Sequence, residues 1–70
     1  MSMSQAKKRI LKVLSDAGEP MKLQDIAKET GLSVSSAVMH LLWLGKARYV
    51  STPRKSYYLV TDSGKEVVGP

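Results

Sequence analysis

The run from Leu23 to Lys46, LQDIAKETGLSVSSAVMHLLWLGK, constrains the fold more than any other part of the chain. Leu23, Ile26 and Ala27 recur at helical spacing, and Gly31 follows where that helix has to stop. Glycine suits the corner because it reaches positive φ without a Cβ clash. Leu32 is then expected to pack inward. Ser33 can cap a second helix, its hydroxyl accepting from an amide one turn on. In that helix, expected over residues 33–45, Ala37, Leu41 and Leu44 fall on one buried stripe. Ala27 is small, as a close crossing of the two helices requires.

The size of the chain limits what can surround this hairpin. Seventy residues are near the lower limit for a core that holds itself together, so positions 1–70 are read as one domain. With 43% hydrophobic and 24% charged residues, the composition is that of a globular chain and not of a disordered tail. There is no cysteine, which removes disulfides and thiolate metal sites. The start, MSMSQAKKRI, lacks the apolar run of a signal peptide, and no stretch is long and apolar enough to span a bilayer. An intracellular, cytoplasmic place is therefore expected. Eleven Lys and Arg against six acids give a net charge of +5 and a pI near 9.8. That excess suits a polyanion, although an anionic membrane or an acidic protein would answer to it too.

Before the hairpin, a helix is expected over residues 4–17. Ile10, Val13, Leu14 and Ala17 fall on one stripe, and Lys7, Lys8, Arg9 and Lys12 cluster on the other side. Ser4 is placed to cap it and Gly18 to end it. The basic cluster reads first as a solvated face and second as a set of phosphate contacts. Gly18-Glu19-Pro20 is a loop, since Pro20 cannot continue the helix, and Met21 reads as an inward residue of a one-residue strand.

After Lys46 the periodicity changes. Residues 47–51 and 57–61 are short, β-branched and aromatic-rich runs that fit strands. Between them Thr52-Pro53-Arg54-Lys55-Ser56 reads as a turn with two cations at its tip. Two strands joined by a basic turn, directly after a helix-turn-helix, make a wing. The expected fold is α+β: a winged helix-turn-helix with a three-helix core, a two-stranded wing hairpin over 47–61 and a short closing helix over 62–68.

From Met21 to Val68 the chain resembles the winged helix-turn-helix regulators, the MarR-like and ArsR-like kinds above all. The residues that carry the resemblance are Asp25-Ile26-Ala27, Thr30-Gly31-Leu32-Ser33, Leu41 with Leu44, and the tail Tyr58-Leu59-Val60-Thr61-Asp62-Ser63-Gly64-Lys65. In the tail Thr61 can cap the closing helix, whose apolar side is Val67 and Val68, and Gly64 implies close packing. The resemblance implies double-stranded DNA as partner, with the second helix of the hairpin in the major groove. It is a likeness of fold pattern and singles out no particular protein.

One departure stands out. Ser35, Met39 and Leu42 point most nearly away from the buried stripe, flanked by Ser36, Val38 and Trp43. Members of such families typically place Arg, Lys, Gln or Asn there, because base edges are read by bidentate donors and acceptors. Serines reach phosphates or either kind of base, and a methionine can touch a thymine methyl. The same apolar residues suit a partner or homodimer interface through Met39, Leu42 and Trp43, which is the alternative function.

His40 is the only histidine, and with six scattered acids and no cysteine it is read as structural. The serines lack a neighbouring base, and there is neither a phosphate-cradling glycine loop nor a framed pair of carboxylates. No enzyme, cofactor, membrane or small-molecule ligand is expected. The sequence thus reads as a stand-alone DNA-binding domain, a small transcriptional regulator or chromatin-type protein associated with the nucleoid. Ser33, Ser35, Ser36 and Met39 are expected in the major groove, Arg54 and Lys55 on the wing. Lys46, Arg48 and some of Lys7, Lys8 and Arg9 are expected at the backbone. RNA shares the charge pattern, but Tyr57 alone offers a stacking surface.

Overall fold

The computed structural model describes residues 3–69; of the span read as one domain, residues 1, 2 and 70 lie outside the described residues. Helix α1 covers Gln5–Ala17 and is capped by Ser4, whose Oγ accepts from the Lys7 amide at 3.3 Å. Strand β1 (Met21–Lys22) leads straight into α2 (Leu23–Thr30), and α3 follows over Val34–Lys46. Strands β2 (Val50–Arg54) and β3 (Tyr57–Val60) form the hairpin, and α4 (Asp62–Val68) closes the chain. This is the winged-helix order, in the α+β class.

The buried side chains Ile10, Leu11, Leu14, Ile26, Leu41, Leu44, Val50 and Val60 form one cluster drawn from α1, α2, α3, β2 and β3. Helix α1 is the hub, packed against α2 and α3 and also against α4 and β3. That double packing corrects the expected stripe. Leu11 is fully buried, Val13 only half so, and Ala17 exposed. A helix covered on two sides buries a wider arc than an amphipathic surface helix does, and here the arc is rotated toward Leu11.

The sheet has three antiparallel strands in the order β1-β3-β2, so a short third strand joins the two of the expected hairpin. Met21 pairs with Tyr58 and Lys22 with Tyr57. On the other side Val50 pairs with Val60 and Ser51 with Leu59, but Arg54 pairs with Tyr57. Three steps along β2 therefore answer two along β3, a bulge at Thr52-Pro53. Proline has no amide to give the ladder, and an edge strand at a bulge is where a sheet tolerates it. The first strand thus starts three residues later than its composition suggests and runs through Pro53. Ala47 and Arg48 are turn instead of strand, and the tip is only Lys55-Ser56.

The reason lies at the end of α3. Arg48 adopts φ 66°, its amide donates to the Gly45 carbonyl (3.0 Å), and the Tyr49 amide donates to the Leu44 carbonyl (2.9 Å). This paired closure of a helix end is the Schellman motif. The end of α2 is built the same way: Gly31 (φ 74°) donates to the Lys28 carbonyl at 3.4 Å and Leu32 to the Ala27 carbonyl at 3.1 Å. One motif uses glycine, the other an arginine.

Thr61 locks the closing helix to this turn. Its Oγ1 accepts from the Gly64 amide (3.1 Å) and donates to the Arg48 carbonyl (2.7 Å), while its amide donates to the Tyr49 carbonyl (3.0 Å). Gly64 is buried, and a Cβ there would collide with the Tyr49 carbonyl oxygen and come within 2.7 Å of Val60 Cγ2. Close approach, and no special dihedral, is what requires that glycine.

Candidate nucleic-acid interface

The turn between α2 and α3 is fixed from both sides. Leu32 is half-buried against the core, and Ser33 caps α3, its Oγ accepting from the Ser36 amide at 3.1 Å. Thr30 is buried at the end of α2, with its hydroxyl donating back to the Ile26 carbonyl at 2.8 Å. The Thr30 carbonyl in turn accepts from Arg9 Nη1 at 3.2 Å. Arg9 therefore ties α1 to the end of α2, a use that no local pattern in α1 reveals.

With Ala37, Leu41 and Leu44 buried, the rotation of α3 is set, and Ser35, Met39, Leu42 and Lys46 form a line along its exposed side. Met39 is 72% exposed and Leu42 62%. Ser33 is exposed and Ser36 is half-buried. Trp43 lies to one flank of the line. The Lys7 ammonium sits 5.1 Å from the centre of its ring, and Tyr49 lies 6.4 Å away, centre to centre. Trp43 is thus partly engaged by its own chain, and Lys7 is half-buried beside it instead of projecting opposite the core. Among the other cations of α1, Lys12 faces Asp16 at 3.7 Å in an exposed pair, and Lys8 is exposed.

The wing follows α3 in the chain, and its strand β2 packs against that helix. The Arg54 guanidinium lies over the Tyr57 ring, 4.6 Å from its centre, and Lys55 is exposed at the tip. Ser56 takes φ 66°, and its carbonyl accepts from the Leu23 amide at 2.8 Å, which satisfies the first amide of α2 and anchors the tip to the helix-turn-helix. Because Lys22 and Arg54 both pair with Tyr57, the three residues form one row across the sheet, on one face of it. Lys22 therefore joins the wing cations. No local pattern marks it, because its strand partner Tyr57 lies 35 residues further along the chain.

The charges are segregated along the chain. From Gly31 to Thr61, the whole of α3 and the wing, there is no acidic residue, whereas Lys46, Arg48, Arg54 and Lys55 all fall there. The six acids lie elsewhere, at Asp16, Glu19, Asp25, Glu29, Asp62 and Glu66. Cations therefore mark the junction of α3 with the wing and the wing tip, and the outward line of α3 lies on the same acid-free segment. Among the described residues no group of three or more His, Cys, Asp or Glu is placed to hold a metal, and no helix is long and apolar enough to cross a membrane.

Comparison with known proteins bears on this geometry. The chain superposes on a crystal structure of RV1404 from Mycobacterium tuberculosis with a TM-score of 0.85 and 25% identity, covering 96% of this chain and 49% of that one. Ligand-free NadR gives 0.84 and 24% identity over 94% of this chain and 49% of that one. The transcriptional regulator Tm0710 from Thermotoga maritima gives 0.81 and 24% over 93% and 48%. The chain thus spans about half the length of the solved structures it matches. No curated protein sequence matches it significantly. The family model for bacterial regulatory proteins of the arsR family matches residues 4–52, from the cap of α1 into β2. With that match over most of its length, and a winged helix-turn-helix around it, the chain belongs to the arsR family of DNA-binding bacterial regulatory proteins.

Proposed function

We propose that the chain binds double-stranded DNA by laying α3 in the major groove and setting the wing on the adjoining backbone or minor groove. One observation carries the reading: the segment Gly31 to Thr61, which holds α3 and the wing, has no acidic residue, its cations fall at the end of α3 and at the wing tip, and Ser35, Met39 and Leu42 are exposed on the outward side of α3. Ser33, Ser35, Ser36 and Met39 are the residues we assign to the groove. Lys46, Arg48, Arg54 and Lys55, with Lys22 beside them, are assigned to phosphates, where charge is neutralised without regard to sequence. Of the α1 cations, Lys8 is the one we retain as an outlying contact, since Arg9, Lys7 and Lys12 have partners within the chain.

In this reading the protein is a binder and not an enzyme, and it acts on the nucleoid in the cytoplasm. Docking of a protein or a second copy through Met39, Leu42 and Trp43 has less behind it. Trp43, still 45% exposed, is partly engaged by Lys7 and Tyr49, and Met39 and Leu42 are the most exposed of the apolar side chains.

Titration with duplex DNA at a series of salt concentrations tests the function. About 3 to 5 neutralised phosphates give a slope of log K against log salt of roughly −3 to −5. Absence of binding at low salt, or a slope near zero, would remove DNA as the partner.

A further inference from the structure

The outward line of α3 has an unusual chemistry for a groove-reading helix. Its middle is Met39 and Leu42, its ends Ser35 and Lys46, and it offers no guanidinium, amide or carboxylate. Resting on the DNA reading above, we propose that Met39 and Leu42 read the C5-methyl groups of thymine and so select A·T base pairs through the major groove. The thymine methyl is the one apolar feature that the major-groove edge of a base pair presents. An apolar side chain gains there by excluding water. Opposite a G·C pair the same side chain would dehydrate the cytosine amino group and the guanine acceptors and give them no partner, so preference arises from both sides.

The geometry suits two neighbouring base pairs. Met39 and Leu42 are three residues apart on one side of a helix, about 4.5 Å along its axis. Successive base pairs are spaced by about 3.4 Å. Lys46, one further turn along the same line, is exposed, and Arg48 is exposed in the turn that closes the helix, so cations to pair with phosphates follow the apolar pair. Both apolar side chains are well exposed and neither belongs to the core, so neither is needed to fold the chain.

The experiment compares alternating A·T duplexes made with dT or with deoxyuridine, which differ only in the methyl group. Alternating G·C duplexes made with dC or 5-methyl-dC add the methyl instead. Affinities are measured at low salt for the wild-type chain and for Met39→Ala/Leu42→Ala, with a melting curve to show that the variant folds. Each methyl contributes about three- to fourfold, so the dT duplex is expected to bind about tenfold tighter than the deoxyuridine one. The 5-methyl-dC duplex is expected to bind more tightly than its dC counterpart, and both differences should vanish in the double variant while salt-dependent binding persists. Equal affinity of the wild type for dT and deoxyuridine overturns the proposal and leaves DNA binding standing. A difference that survives in the double variant assigns the effect to groove shape and also overturns it. Dimerisation lost in the double variant, with dT and deoxyuridine bound alike, gives the face to a second copy instead. Failure to bind any duplex overturns the DNA reading and this one together.

Discussion

Arg48 offers a perturbation whose stability and binding effects separate cleanly. It closes α3 in the left-handed region at φ 66°, in the same motif that Gly31 occupies at φ 74° at the end of α2. A residue with a Cβ in that region costs roughly 1–2 kcal/mol relative to right-handed backbone. Glycine escapes that cost but loses about 0.5–1 kcal/mol through the greater freedom of its unfolded chain. Arg48→Gly is therefore expected to stabilise the fold by about 0.5–1 kcal/mol. For a domain of this size that raises Tm by roughly 2–8 °C. Arg48→Ala keeps the Cβ and the strain, and the arginine side chain is exposed, so its Tm should stay near that of the wild type. Both variants lose the same positive charge. If Arg48 touches a phosphate, both should lower the steepness of the salt dependence by about 1 unit, whatever their stability. Thermal melting by circular dichroism and a salt-titrated DNA binding curve on the two proteins complete the test. A glycine variant less stable than the alanine variant would refute the strain argument, and an unchanged slope in both would take Arg48 out of the interface.

Two further variants probe the wing and the closing helix. Arg54→Ala with Lys55→Ala should weaken DNA binding similarly across sequences and flatten the salt slope by about 1–2 units. The loss of stability should be no more than the ~0.5–1 kcal/mol of an exposed cation–π contact at Tyr57, read from a melting curve. Gly64→Ala would gain about 1 kcal/mol in an ordinary helix. Here the new methyl meets the Tyr49 carbonyl and Val60, so urea denaturation should show a net loss of about 1–3 kcal/mol.

The sequence disclosed those features that rest on local chemistry. Gly31 followed by Ser33 announces a helix end and a helix start two residues apart, and both act as such. Ala37, Leu41 and Leu44 fix the rotation of α3, because that helix is packed on one side only and leaves the other to solvent. Thr61 and Gly64 carry the closing helix in four residues. What stayed hidden depends on partners distant in sequence. Leu11 is buried because α4 and β3 return over α1. Arg9 and Lys7 look like members of a basic patch until Thr30 and Trp43 are brought beside them. The start of β2 lies beyond where composition puts it because a left-handed arginine leaves no local signature, and Pro53 reads as a turn until the bulged edge strand accommodates it. Lys22 reaches the wing only through pairing of β1 with β3.

The central claim is that α3 and the wing are the surface that meets DNA, and amide chemical-shift mapping addresses it residue by residue. On titrating the labelled chain with duplex DNA, the largest shifts should fall between Ser33 and Leu42, at Lys46 and Arg48, and from Arg54 to Ser56. The acidic regions at Asp16–Glu19 and at Asp62–Glu66 should move least. Shifts concentrated on α1 and α2, with α3 and the wing silent, would contradict the assignment of the interface.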